Sequence, residues 1–212
     1  MAISTVAELK TAVANWLNRS DLTSRIPEFI SLTEAQLNRL LRTREMLVRS
    51  TASASGQYIS IPTDYLEMMN IELTSTSPPK RLIYITSDRS DDYREQQNNK
   101  TGTPSYYTIE GDSIQLLPTP DATYTLQLNY YKDIPALSGL ADSGNNWLLA
   151  NHPDIYLYGT LLQSAPYLMD PQSVGTWGTL YMQSMQELQS ADEKSRFSGG
   201  TLNMRPNIST HD

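Results

Sequence analysis

Apolar residues recur along this chain with two different periods, and the change between them divides it into segments. Val6, Leu9, Val13, Trp16 and Leu17 fall at helical spacing, so one face of a first helix is apolar. Thr5-Val6-Ala7-Glu8 supplies a capping box, in which the threonine oxygen serves an orphan N–H and Glu8 reaches back to the cap. Asn18 to Asp21 interrupts the pattern. A second helix is predicted from about Leu22, with Pro27 tolerated in or near its first turn. Its stripe is Ile26, Phe29, Ile30, Thr33, Leu37, Leu40 and Leu41, while Glu34, Asn38, Arg39 and Arg42 lie off it. The pair reads as two antiparallel helices joined by a short loop.

After about Thr43 the period falls to two. Strands are predicted around Tyr58–Pro62, Met68–Leu73 and Arg81–Ile85, separated by the turn-rich pieces Ser53–Gln57 and Ser75–Pro79. Ser87–Gln97 is polar and reads as a short exposed helix. Tyr106–Leu117 is a hairpin: with Gly111-Asp112 as its turn, Ile109 faces Ile114 and Tyr107 faces Leu116. Tyr124–Tyr131 puts Tyr124, Leu126, Leu128 and Tyr130 on one side and Thr125, Gln127 and Asn129 on the other, a strand with one wet face. Residues 136–146 form a loop. Pro153 then opens a helix whose buried face is Ile155, Tyr158, Leu162 and Ala165, and which Pro166 and Asp170-Pro171 limit. A last helix covers Ser173–Asp192, with Trp177, Leu180, Tyr181, Met185 and Leu188 on its stripe. Beyond Glu193 the chain turns polar, with glycine and no repeating apolar period. The order predicts an α+β fold. A helical bundle is built from residues 1–44 and 147–194, a sandwich- or barrel-like antiparallel β domain (45–146) is inserted in it, and an extended tail (195–212) follows.

Composition narrows the possible roles. At 212 residues the chain can bury a real core, and no apolar run approaches the roughly 20 residues that a membrane helix needs. The N-terminus has no basic stretch followed by an apolar one, so the expectation is a protein of a cytoplasm, or of a particle assembled in one. The absence of cysteine excludes disulfides, thiolate metal sites and cysteine nucleophiles. The formal charge of -7 is unevenly spread: residues 1–50 hold 7 Lys and Arg against 5 acids, and residues 51–212 hold 9 against 18. Such an acidic body grips phosphates poorly and suits a surface that DNA passes without sticking.

Candidate chemistry is sparse. There is no GxxxxGK[ST] loop and no GxGxxG, and the only histidines are His152, just ahead of a helix-starting proline, and His211, near the terminus. Asp88, Asp91, Asp92 and Glu95 are interleaved with Arg89 and Arg94, which favours a solvated helix face over a cation site. Glu110 and Asp112 flank the hairpin turn. Asn18-Arg-Ser20, Asn99-Lys-Thr101 and Asn207-Ile-Ser209 match the glycosylation pattern by chance in a chain without a secretion signal. No catalytic, cofactor-binding or metal-ligating residue is predicted. Tyrosine is abundant, 13 against 2 Phe, and suits contact surfaces because the ring buries while the hydroxyl stays satisfied. Tyr106-Tyr107 and Tyr130-Tyr131 place adjacent rings on opposite strand faces, so Tyr106 and Tyr131 are candidate subunit contacts.

Four phrases then occur in a telling order. DLTSRIPEFISLTEAQLNRLLRTREM (residues 21–46) resembles the opening helix of the head-to-tail adaptor, or connector, proteins of tailed bacteriophages, with its phrase IPxFIxLxExxLxRxLR. That family is related to the tail tubular (gatekeeper) proteins of short-tailed phages. YISIPTDYLEMMNIEL (58–73) and TPSYYTIEGDSIQLLPTPDATYTLQLNYYKDIPAL (103–137) resemble the family's strand phrases, and HPDIYLYGTLLQSAPYLMD (152–170) its carboxyl-terminal helices. The likeness spans about residues 5–195. It implies a dodecameric ring beneath the portal protein, helices near the portal and β domains towards the tail nozzle or tail tube. Genomic DNA would pass through the lumen without specific binding, at the head–tail interface of the virion, with no membrane and no catalytic residues. It also implies a carboxyl-terminal tail that reaches a neighbour or the portal, for which Arg196, Phe197, Leu202, Met204, Arg205 and Ile208 are the expected anchors. Asp88, Asp91, Asp92, Glu95 and the loop acid Asp142 are candidates for the lumen. The alternative is a baseplate or fibre β-sandwich module that binds a receptor or glycan; Trp16, Trp147 and Trp177 fall in or beside helices, which disfavours it. A hydrolase would require two buried carboxylates with shifted pKa values.

Overall fold

The computed structural model describes residues 3–137 and 140–197. Their elements run α1 (Val6–Leu17), α2 (Ile26–Leu40), a 3-10 turn at Arg44–Met46, β1 (Leu47–Ala54), β2 (Tyr58–Ser60), β3 (Tyr65–Leu73), β4 (Lys80–Arg81) and β5 (Ile83–Tyr84). Then follow α3 (Ser87–Gln96), β6 (Tyr106–Glu110), β7 (Ser113–Leu117), β8 (Tyr124–Lys132), α4 (Trp147–Asn151), α5 (Pro153–Ser164) and α6 (Pro171–Phe197). The fold is α+β. Two compact units divide it: Asn38–Ile134 is continuous, while the other joins Met1–Leu37 to Pro135–Asp212.

In the discontinuous unit, α1 begins at the capping box read from the sequence, with Thr5 accepting from the Glu8 N–H and Glu8 from the Thr5 N–H. It ends where Asn18 adopts the left-handed conformation, with φ of 50°. The second helix starts at Ile26 rather than Leu22, because Leu22–Arg25 closes a separate turn, the Arg25 N–H donating to the Leu22 carbonyl at 2.8 Å. α5 is the element on which this unit is built. Ile155, Tyr156, Leu157, Gly159, Thr160, Leu161 and Ser164 are all buried, so the single buried face predicted for it is corrected: α1, α4 and α6 pack around it. Glycine at 159 permits that closeness, since a Cβ there would lie 2.5 Å from Thr33 Cγ2 of α2 and 3.0 Å from the Tyr181 ring of α6. α6 runs through Phe197, three residues into the segment expected to be an extended tail. Arg196 pairs with Asp192 at 2.8 Å, and Lys194 and Arg196 place positive charge at the helix's negative end.

In the continuous unit, two four-stranded sheets have the orders β1-β8-β3-β4 and β2-β7-β6-β5. The hairpin is the predicted one: Ile109 faces Ile114, Tyr107 faces Leu116, and Gly111 takes the turn with φ of 56°. β8 alternates as expected and lies between β1 and β3, antiparallel to both. Alternate residues of the two sheets meet in one core that includes Ile71, Leu73, Ile114, Leu116, Leu126 and Leu128. The expectation of a wholly antiparallel domain is corrected, because β5 runs parallel to β6 and the isolated bridge between Thr101 and Thr119 is parallel as well. α3 covers the other face of the second sheet, where buried Ser90 donates to Gln115 and the Tyr93 and Tyr106 rings meet edge to face at 5.2 Å.

Tyr181 is fully buried in the helical unit, and its hydroxyl has no hydrogen-bond partner among the described residues. A buried donor left unpaired carries a desolvation penalty of about 1–3 kcal/mol. Tyr181→Phe should therefore stabilise the protein by about 1 kcal/mol in urea denaturation; an unchanged or lower midpoint would show that the hydroxyl is satisfied in solution.

Candidate functional site

The sequence-predicted residues fall into separate places. Asp88, Asp91, Asp92 and Glu95 are all exposed on α3, with Asp91 3.5 Å from Arg94. Tyr106 is half-buried under the Tyr93 ring. Tyr131 is only 8% exposed and Tyr130 only 3%, so the expectation that one of this pair projects outward is corrected. Tyr131 stands in the central strand between Leu47 of β1 and Glu67 of β3, where both flanks are taken. Leu202, Met204, Arg205, Ile208 and the Phe197 side chain lie outside the described residues.

Asp142 is an anchor for α1. Its carboxylate meets Lys10 at 2.9 Å, its carbonyl accepts the Ala7 N–H, and the Gly144 carbonyl accepts that of Val6, both at 3.0 Å. Two of the helix's orphan donors are thereby satisfied by the loop segment 140–146. The same loop is held from below by Glu34, which the helical pattern had placed off the apolar stripe. Glu34 is buried, and its carboxylate accepts the Leu137 N–H. Asn146 completes this polar hub: it donates to the Pro135 carbonyl at 2.8 Å and to the Tyr156 hydroxyl at 2.7 Å, and accepts the Leu149 N–H at 2.8 Å. Burial drives the Tyr156 phenol strongly upward. In the β unit, Tyr130 is likewise pushed up to about 12 by burial and by donating to Asp64 at 2.9 Å. Asp133 is raised by burial and by the Asp64 charge. No group of three His, Cys, Asp or Glu side chains disposed to hold a metal occurs among the described residues.

Two surfaces escaped the sequence reading. Trp16, half exposed on α1, meets Tyr158 of α5 at 6.0 Å and Trp177 of α6 at 5.6 Å, forming an aromatic cluster at the surface of the helical unit. In the β unit an open groove of about 820 Å³ is bordered by β3, β4, β5 and β6. Ile83 is 60%, Tyr84 54% and Met69 47% exposed at this groove. A signal for it was present in Leu82-Ile83-Tyr84-Ile85, four consecutive apolar residues that a two-faced strand cannot bury together; only Leu82 is buried. These arrangements provide contact surfaces of aromatic and apolar character.

A protein-family profile described as SU10 adaptor protein matches residues 4–205, which reach across both compact units. No curated protein matches the chain. No described helix is long and apolar enough to cross a membrane.

Replacing Glu34 by Ala strands the buried Leu137 N–H and should cost about 1–3 kcal/mol in urea denaturation. Glu34→Gln keeps a carbonyl acceptor and should cost less; equal losses for both would place the effect in the charge instead of the hydrogen bond. A pH dependence follows from Tyr130 and Tyr181, both raised to about 12 by burial. Tyrosines of an unfolded chain ionise near the usual value of about 10, so the stabilisation is complete below that pH and lost as pH rises towards 12. Circular dichroism and phenolate absorbance should change together in this window, and a melting temperature flat across it would contradict the assignment.

Proposed function

The chain belongs to the SU10 adaptor protein family, and on that premise we propose that it is a structural head-to-tail adaptor of a tailed phage, working as one subunit of a ring. The observation that carries this reading is the profile match, which takes in both compact units instead of one borrowed module. In the proposed role the ring, a dodecamer by resemblance, joins the portal to the tail nozzle or tail tube and extends the DNA channel. The protein has its place at the head–tail interface of the virion, assembled in the host cytoplasm, and acts by contact without catalysis.

Physical features favour this reading. The exposed acids Asp88, Asp91, Asp92 and Glu95 would repel phosphate, as a channel wall needs to. Asp142 is less suited to that task, since Lys10 neutralises it. The carboxyl-terminal segment supplies the proposed contact with portal or neighbour through Phe197, Leu202, Met204, Arg205 and Ile208. Arg196 belongs to the helical base of this arm, through its pair with Asp192. Tyr106 is the better of the two tyrosine contacts, because Tyr131 is buried.

Mass photometry and negative-stain imaging of the protein, alone and with its cognate portal, test the proposal. The expected outcome is rings seated on portal, and loss of that seating on deletion of residues 198–212. Protein that ignores the portal would sink the adaptor reading, while undiminished assembly of the truncated chain would remove the role of the arm.

A further inference from the structure

On one side of the β unit the two sheets end in two-residue strands, β4 and β5. β4 pairs with β3 only at Glu72 and Leu73, and β5 pairs with β6 only at Tyr106 and Tyr107. Along β3 from Tyr65 to Asn70, and along β6 from Thr108 to Glu110, no described strand lies on that side. The 820 Å³ groove is the resulting gap. Its lining combines Tyr65, Met68, Met69, Ile83, Tyr84 and Ile109 with Asn70 and two charges, Arg81 and Glu67, of which Glu67 is held by Arg42 at 2.8 Å. Irregularities in β3 between Tyr65 and Glu67 and between Met68 and Asn70 guard the edge against indiscriminate pairing. An occupant must therefore match the groove with side chains as well as backbone.

Such a segment is present in the chain. The segment beyond Glu193, read above as lacking an apolar period, in fact carries a short one: Leu202, Met204, Pro206 and Ile208 occupy every second position, with Asn203, Arg205 and Asn207 between them. In an extended conformation all four apolar residues would share one face, and at about 3.3 Å per residue they span about 20 Å, against about 17 Å for the free edge of β3. A proline is tolerated in a strand added at an edge, where its missing N–H can face away from the ladder. Residues 198–212 carry one arginine and one aspartate, so side-chain charge does not oppose entry into the groove.

We infer that the groove bordered by β3, β4, β5 and β6 receives residues 202–208 of a second copy of this chain as an added strand, its alternate apolar side chains entering the open side of the sandwich. This rests on the adaptor reading, in which copies of the chain meet. It names the receiving surface of the carboxyl-terminal arm.

The chain has no cysteine, so disulfide mapping starts from a clean background. Full-length protein carrying Tyr84→Cys is mixed at high concentration with tagged full-length protein carrying Met204→Cys, then mildly oxidised. A mixed disulfide dimer is expected, because the bond requires Cα atoms within about 7 Å. The band should be lost when Ser53→Cys on β1, at the opposite edge of the sheet, replaces Tyr84→Cys. It should also be lost when Ile83→Asp is added to the groove partner, with an unchanged melting curve as the check on folding. Three outcomes overturn the inference: no mixed dimer, a dimer of two groove-bearing chains only, or a doubly substituted chain that closes solely on itself. Each leaves the adaptor reading standing if rings still seat on portal, and failure of portal binding with the mixed dimer present would reject the adaptor reading alone.

Discussion

Two side chains one turn apart on α2 hold the ends of the long middle segment. Within the helical unit, Glu34 accepts the Leu137 N–H across 103 positions of sequence. Within the β unit, the Asn38 side-chain Oδ1 accepts the Ile134 N–H at 2.9 Å, across 96 positions. A unit assembled from two distant stretches of chain must close a long loop, although the entropic cost of closure grows only logarithmically with loop length. What it needs is a contact that is expensive to leave unmade, and a buried carboxylate bonded to a buried backbone N–H is one. Asn146 and Tyr156 extend the same logic to the return of the chain, because the bonds from Asn146 to the Tyr156 hydroxyl and from the Leu149 N–H to Asn146 satisfy buried groups.

The rest of the helical unit follows from this closure. With the chain held at Leu137 and Asn146, the intervening loop presents the Asp142 and Gly144 carbonyls to the start of α1. α1 then lies against α5, where Trp16 reaches Tyr158. Gly159 keeps α5 close enough to Thr33 and Tyr181 for α5 to be covered on nearly every side. The unit gains a largely buried central helix, and the half-covered indoles of Trp16 and Trp177 mark where that packing reaches the surface.

The β unit is built of two four-stranded sheets around one apolar core. Its carboxylates are spread over turns, the exposed helix α3 and the strands β3 and β6; Asp64, whose charge raises Asp133, accepts from the Tyr130 hydroxyl. Its most distinctive surface is the side where two-residue strands leave both sheets incompletely covered. Monomeric proteins usually blunt such edges, and Ile83 and Tyr84 do the reverse. An exposed apolar corner of this kind is the property of a protein made to be joined to others.

Much of this was legible in order of residues alone. The capping box, the Gly111-Asp112 hairpin and the alternation of β8 rest on chemistry within a few positions, and each stands in the structure as read. Family membership was legible too, since the phrases that carry it are local. β1 was missed because LVRSTASA has small and polar residues where a strand signal needs large apolar ones; only its pairing with β8 makes it a strand. The same limit hid the burial of Glu34, the coverage of Tyr131 and the many-sided burial of α5. Local spacing sets the period of each element, its caps and its turns, because those depend on neighbours in sequence. Which faces are covered, which polar groups are paired and which edges stay open were decided by tertiary structure, because residues a hundred positions away supply the partners.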